Sequence, residues 1–170
     1  VIETEQSDED GKPKLFMLIG ASGSGKSSWF NLIAEPMAME HFSLDRFRHE
    51  WYDPDDYSKA FELACADKSF MNKANTEYSN MLKSGNDVVV DNVNTSKKRR
   101  AHYIRQARQA GYYTVAVVFP ISLNEVIARQ HTREDKNVPE DAVPRQYNAL
   151  SLQYYRALGT VFAVDGNLTT

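Results

Sequence analysis

The 170-residue chain has one cysteine, Cys65, so no disulfide forms within it, and a reducing cytoplasm is the expected setting. No apolar run approaches the roughly 18 residues that span a bilayer, so no transmembrane helix and no membrane partner are expected. The opening VIETEQSDEDGK has neither the basic nor the apolar region of a secretory leader. His41, His49, His102 and His131 stand at no metal-ligand spacing, and no zinc site is expected. A guanine-reading Asn-Lys-x-Asp is missing too. The nearest match, NKAN at 72–75, lacks the Asp and falls in a helical pattern, which argues against a GTPase switch.

Positive charge is absent from the first ten residues, which carry Glu3, Glu5, Asp8, Glu9 and Asp10. Removing those five acids from a net charge of −3 leaves the rest at +2, a mildly basic body. Residues 1–12 read as a disordered acidic tail and 13–170 as one compact domain. Within that domain apolar runs alternate with helical patterns. LFMLI (15–19), HFS (41–43), VVVD (88–91), TVAVVF (114–119) and TVFAV (160–164) read as strands. Helices are expected over 26–34, from Asp53 as N-cap to Gly85, from Ser96 to Gly111, from the capping box SLNE (122–125), and from about Glu140 to Leu158. Strands separated by helices call for right-handed crossovers, hence an α/β fold with a parallel sheet covered on both faces.

GASGSGKS (20–27) matches G-x-x-x-x-G-K-[ST] between a strand and a helix. Gly20, Gly23 and Gly25 allow backbone N–H groups to converge on a phosphate without Cβ obstruction, at a helix N-terminus that favours an anion. Lys26 reaches the outer phosphates of ATP, and Ser27 ligates Mg²⁺. Ser22, Ser24 and Ser28 complete the donor loop. Asp91, at the end of the third strand, is the natural acid to support the metal and the site.

Nucleotide binding alone leaves the chemistry open. A motor ATPase needs more chain, whereas a kinase needs a core, an acceptor pocket and an arginine-bearing lid. RQHTREDKNVP (129–139) fits the lid, with Arg129 and Arg133 four apart on one helix face, Arg133 foremost. After the second strand, SLDRFRHEW (43–51) places Asp45 and Arg48 three apart. A carboxylate there can take the proton of an attacking hydroxyl, and an arginine can hold an anionic part of the acceptor.

Taken in order, GASGSGKSSWF, SLDRFR, VVVDNVNTSKKRR and RQHTREDKNVP resemble the bacteriophage 5′-polynucleotide kinase family over about residues 14–160. The resemblance implies a P-loop kinase domain over 13–170 with a parallel five-stranded sheet in the order 2-3-1-4-5. It also implies ATP and Mg²⁺ as cofactors, and a DNA or RNA strand or strand end as acceptor. Lys26 and Ser27 would then serve the donor phosphates and metal, Asp45 would be the general base, and Arg48 would bind the phosphate next to the acceptor nucleoside. Asp91 and Asn94 would belong to the acceptor side, Arg133 would be the lid arginine, and Arg129 would flank it. The implied location is the cytoplasm of a phage-infected host.

Three features depart from the family. Ser28 follows the P-loop serine where the family often has Thr, and the third strand ends Asp91-Asn92-Val93-Asn94. The tail AVDGNLT (163–169) only echoes the phosphatase motif of two-domain members, with Ala163 at the nucleophile's place, so kinase activity alone is expected. KKRRAHYIRQAR (97–108) carries six cations and no acid, and reads either as a solvated helix face or as a track for a nucleic-acid backbone. Phe47, Trp51 and Tyr52 suit either base stacking or core packing. Two other functions stay open: phosphorylation of a hydroxymethylated base or small metabolite, and a nucleotide-binding repair or regulatory module without turnover.

Overall fold

The computed structural model describes residues 11–132, 138 and 139, 141–148 and 160–163. Strands β1 (Lys14–Ile19), β2 (Glu40–Phe42), β3 (Val88–Asp91), β4 (Tyr113–Val118) and β5 (Thr160–Ala163) form one sheet in the order β2-β3-β1-β4-β5. Every pairing is parallel. Leu15 lies opposite Val88 on one side and Thr114 on the other. The strands read as continuous apolar runs because both faces are covered.

Alternate β1 side chains divide between two cores. Leu15, Met17 and Ile19 join Phe42, Tyr78, Met81, Tyr103 and Ile104, whereas Leu18 joins Phe30, Ala34, Val89 and Val117. The first core is centred on Phe42, Tyr78 and Tyr103, whose rings meet edge-on or tilted at 5.1–5.2 Å. The buried Tyr78 hydroxyl donates to the Tyr103 carbonyl at 2.9 Å, so its polar atom is satisfied.

Helix α1 (Lys26–Trp29) continues as a wider π-type turn over Phe30–Ala34. Three helices then separate β2 from β3: α2 (Leu44–Trp51), α3 (Tyr57–Ala66) and α4 (Phe70–Ser84). The single helix expected from Asp53 to Gly85 is therefore two. Asp56, not Asp53, caps α3 by accepting from the Lys59 amide at 3.0 Å. Asp53 instead accepts from the Asp55 and Asp56 amides and shapes the preceding turn. The break comes at Asp67, whose carboxylate accepts from the Ser69 amide, the Ser69 hydroxyl and the Tyr52 hydroxyl. Those competing bonds stop α3 where apolar periodicity alone would let it run on. Gly85 ends α4 in the left-handed conformation at φ 76°.

Helix α5 (Lys97–Gln109) leads to β4, and α6 (Leu123–His131) starts with Ser122 accepting from the Glu125 amide at 3.3 Å. Helix α7 (Ala142–Asn148) carries Pro144 in its first turn, and the rest of the helix expected to Leu158 lies outside the described residues. Among the described residues, no helix is long and apolar enough to cross a membrane. The acidic opening, residues 1–10, also lies outside them.

Candidate functional site

The carboxyl ends of the parallel strands and the helix N-termini that follow them converge on a cavity of about 580 Å³. Its donor side is the loop between β1 and α1. Gly23 (φ 85°) and Gly25 (φ 100°) take the left-handed conformation that bends this loop over the start of α1. Gly20 is required for another reason. A Cβ there would lie 2.3 Å from the Ser24 hydroxyl, and the Gly20 amide donates to the Val93 carbonyl at 3.2 Å. Gly20 and Ser24, both expected on the phosphates, thus form the floor of the loop. Ser22, Gly23, Gly25, Lys26, Ser27 and Ser28 line the cavity itself. The Lys26 ammonium turns onto the loop, donating to the carbonyls of Gly20 (2.9 Å) and Ala21 (2.8 Å).

Two glutamines reach this loop from the last helices. The Ser22 amide donates to Gln146 Oε1 at 2.8 Å, and Gln130 Nε2 donates to the Ser22 hydroxyl at 3.5 Å. Neither carries a sequence signal beyond its place beside the expected lid. Arg129 lines the cavity and also donates to Glu125 one turn earlier. Arg133, expected to be the main lid arginine, lies outside the described residues.

The acceptor side is built by α2 and α3. Ser43 caps α2 by accepting from the Arg46 amide, and Asn92 Oδ1 accepts from the Leu44 amide at 3.1 Å. The end of β3 thereby sets the position of α2. Asp45 lines the cavity, and its Oδ1 accepts from Arg48 Nη1 and, at 2.8 Å, from the Tyr57 hydroxyl. Burial, and secondly the Asp45 charge, push the Tyr57 phenol well above its ordinary value.

Arg48 does not line the cavity. Its guanidinium carbon sits 4.9 Å from the Phe61 ring centre and 5.5 Å from that of Phe70, and its side chain is only 17% exposed. The acceptor-phosphate role expected of Arg48 is thus at odds with its position, which directs it to Asp45. The cationic and imidazole groups that line this end are Arg46 and His49. Arg46 Nε lies 3.4 Å from Glu50 Oε1, and its guanidinium carbon sits 5.1 Å from the Phe47 ring centre.

At the strand ends, Asp91 lines the cavity with its Oδ2 3.2 Å from His41 Nε2, and the His41 ring stacks on Phe30 at 3.6 Å. Ser27 and Asp91 share the cavity, and an alcohol with a carboxylate fits Mg²⁺, which prefers few protein oxygens and keeps several waters. Among the described residues, no group of three or more His, Cys, Asp or Glu could hold a metal.

Asn94, expected on the acceptor, does not line the cavity. It is 4% exposed at φ 50°, and its amide donates to the carbonyls of Leu18 (2.8 Å) and Val90 (3.1 Å). Arg100 in turn donates to the carbonyls of Asn94 and Thr95. Asn94 and Arg100 therefore brace the turn that leads from Asp91 to α5.

The chain matches the family described as an AAA domain over residues 15–156, most of its length, and belongs to that family. Solved structures share the fold at low identity. A gluconokinase from Sinorhizobium meliloti 1021 is 18% identical with a TM-score of 0.59, over 92% of this chain and 87% of that one. A chain of the Pnkp1/Rnl/Hen1 RNA repair complex is 21% identical with a TM-score of 0.66, over 91% of this chain and 48% of that one. A deoxyadenosine kinase from M. mycoides is 15% identical with a TM-score of 0.53, over 90% and 91%. The architecture is that of the P-loop kinases.

Proposed function

We propose that the chain is an ATP- and Mg²⁺-dependent kinase that moves the γ-phosphoryl group of ATP to the 5′-hydroxyl of a DNA or RNA strand. The observation that carries this reading is the shared cavity, with the lysine of a phosphate loop at one end and a doubly hydrogen-bonded carboxylate, Asp45, at the other. A module that only binds nucleotide has no use for that second end.

On this reading the loop amides and Lys26 hold the donor phosphates. Lys26 exchanges its two carbonyl partners for phosphate oxygens. Ser27 and Asp91 would hold Mg²⁺, which when bound supplies charge neutralisation at the phosphates. Asp45 takes the proton of the acceptor hydroxyl as its oxygen bonds to the γ-phosphorus and the bond to the leaving ADP breaks. Arg133, the lid arginine of this reading, supplies positive charge to the transferring group, with Arg129 four residues before it and lining the cavity. Arg46 and His49 face the acceptor and suit an adjacent phosphate, a role that passes to them from Arg48.

The polynucleotide acceptor is favoured by the ordered recurrence of the family motifs and by α5. Lys97, Lys98 and Arg99 are exposed there, immediately after the turn that contains two cavity-lining residues, Asn92 and Val93. Oligonucleotide binding should weaken as salt rises, and Lys97→Glu with Lys98→Glu should flatten that slope.

The test is transfer of labelled phosphate from ATP to a 5′-hydroxyl oligonucleotide, a duplex with hydroxymethyl bases, gluconate and a nucleoside panel. Label at the 5′ end is expected. Label only on internal bases, or only on small molecules, overturns the polynucleotide reading. No label on any acceptor despite ATP binding overturns the kinase reading.

A further inference from the structure

We propose that Tyr57 is a positioning residue for Asp45, and that its phenol sets the orientation and proton affinity of the carboxylate that activates the acceptor. The inference rests on Asp45 acting as the base of a phosphotransfer, as proposed above. Tyr57 is the first residue of α3, whereas Asp45 lies in the first turn of α2. Its hydroxyl donates at 2.8 Å to Oδ1, the same oxygen that accepts from Arg48. Two donors from two helices thus converge on one carboxylate oxygen. A plain i,i+3 ion pair on a helix surface needs no such third partner.

Each donor is itself held. Arg48 lies against Phe61 and Phe70, and the Tyr57 ring packs at 6.3 Å from Phe61 and 5.3 Å from His49. The carboxylate plane is therefore set by the packing of α2 against α3 and not by the free rotation of an aspartate. The phenol is also a one-way partner. Burial and the adjacent negative charge keep its proton on, so it donates to Asp45 and does not compete as a second base.

A hydrogen bond to the charged form of a carboxylate favours that form over the protonated one, so the phenol and Arg48 both support an Asp45 oriented to receive the acceptor's proton. In the transfer step the acceptor O–H bond breaks, its proton passes to Asp45, the new O–P bond forms and the P–O bond to ADP breaks. Tyr57 gains and loses no proton. Among the described residues, the other ionisable groups around the cavity are Arg46 and His49 on the same helix, His41 and Asp91 at the strand ends, Lys26 on α1 and Arg129 on α6.

The experiment compares wild type, Tyr57→Phe and Asp45→Asn. Tyr57→Phe removes one oxygen and keeps the ring packing. With ATP and a 5′-hydroxyl oligonucleotide, kcat should fall about tenfold, while KM for both substrates stays within about twofold. The acid limb of the pH profile should move to higher pH, because a carboxylate that loses a donor binds its proton more tightly. Carbon-13 NMR of labelled aspartates gives a readout that needs no turnover. The Asp45 resonance, assigned by its loss in Asp45→Asn, should titrate at higher pH in Tyr57→Phe. Unchanged kcat and an unchanged titration overturn the inference. Full transfer by Asp45→Asn overturns the base assignment instead, whatever Tyr57→Phe does.

Discussion

The two ends of the cavity are built by different means. The donor end is a run of consecutive residues, 20–28, whose shape is set by backbone conformation at Gly23 and Gly25 and by the start of α1. The acceptor end gathers Asp45 and Arg48 from α2, Tyr57 and Phe61 from α3, Phe70 from α4 and Asn92 from the end of β3. Local geometry makes a phosphate loop that any fold with a strand and a helix can carry. Packing between helices gives the Asp45 carboxylate its hydrogen-bond partners, and no short run of sequence encodes that arrangement. The donor end should therefore be sensitive to its glycines and the acceptor end to its neighbours.

The largest expected effect separates the two ends. Asp45→Asn should lower transfer by about 10²–10⁴-fold and leave nucleotide affinity within about twofold, measured by labelled transfer and nucleotide titration. Equal loss of both would mean that the ends do not work separately.

Next come the glycines. Gly23→Ala places a Cβ 2.4 Å from Gln130 Nε2 at φ 85°, so nucleotide affinity should drop about tenfold or more. Gln130→Ala should restore only part, because the backbone strain of about 1–2 kcal/mol stays. Gly20→Ala behaves differently. Its backbone is not left-handed, and its severe clash is with the Ser24 hydroxyl oxygen. The Ser24 and Phe119 Cβ atoms lie close at 3.2 and 3.1 Å, so Ser24→Gly should relieve the larger part of the clash, read as recovery of melting temperature and nucleotide affinity.

A third contrast lies within the acceptor end. Arg46→Gln should raise the acceptor KM about tenfold with kcat nearly unchanged. Arg48→Gln should do the opposite, lowering kcat, because it acts through Asp45. If Arg48→Gln instead raises only the acceptor KM, the position of Arg48 against Phe61 and Phe70 gives way when substrate binds.

The smallest effect concerns the support of this end. Hydrogen bonds from the Ser69 and Tyr52 hydroxyls and the Ser69 amide, with Lys73 beside them, hold the Asp67 carboxyl well below the usual carboxylate range. A folded-state value below the unfolded one stabilises above the ordinary carboxylate range and is lost as pH falls through it. The melting temperature of wild type should thus fall slightly more than that of Asp67→Asn below about pH 4.

The glycine loop was legible in the sequence because its shape is mostly a matter of backbone, and that follows from glycine spacing between a strand and a helix. The Asp45–Arg48 spacing was legible as a shared helix face, but not what that face meets. Arg48 is held by Asp45, Phe61 and Phe70, the last being 22 positions away. Asn94 looked like a site residue because it follows Asp91 closely, yet its left-handed backbone turns the amide into the sheet. The break at Asp67–Ser69 was hidden because apolar periodicity continues across it. Tyr57, Gln130 and Gln146 carried no signal, since each matters only through a partner 12 to 124 residues distant.

By itself, then, the sequence determined the strand–loop–helix cradle and the parallel α/β class, because these depend on residue type at short range and on apolar runs suited to a sheet buried on both faces. Only the tertiary structure decided which charged side chains face the cavity. A helix offers several faces, and which of Arg46, Arg48 and His49 lines the cavity depends on how α3 and α4 pack against α2.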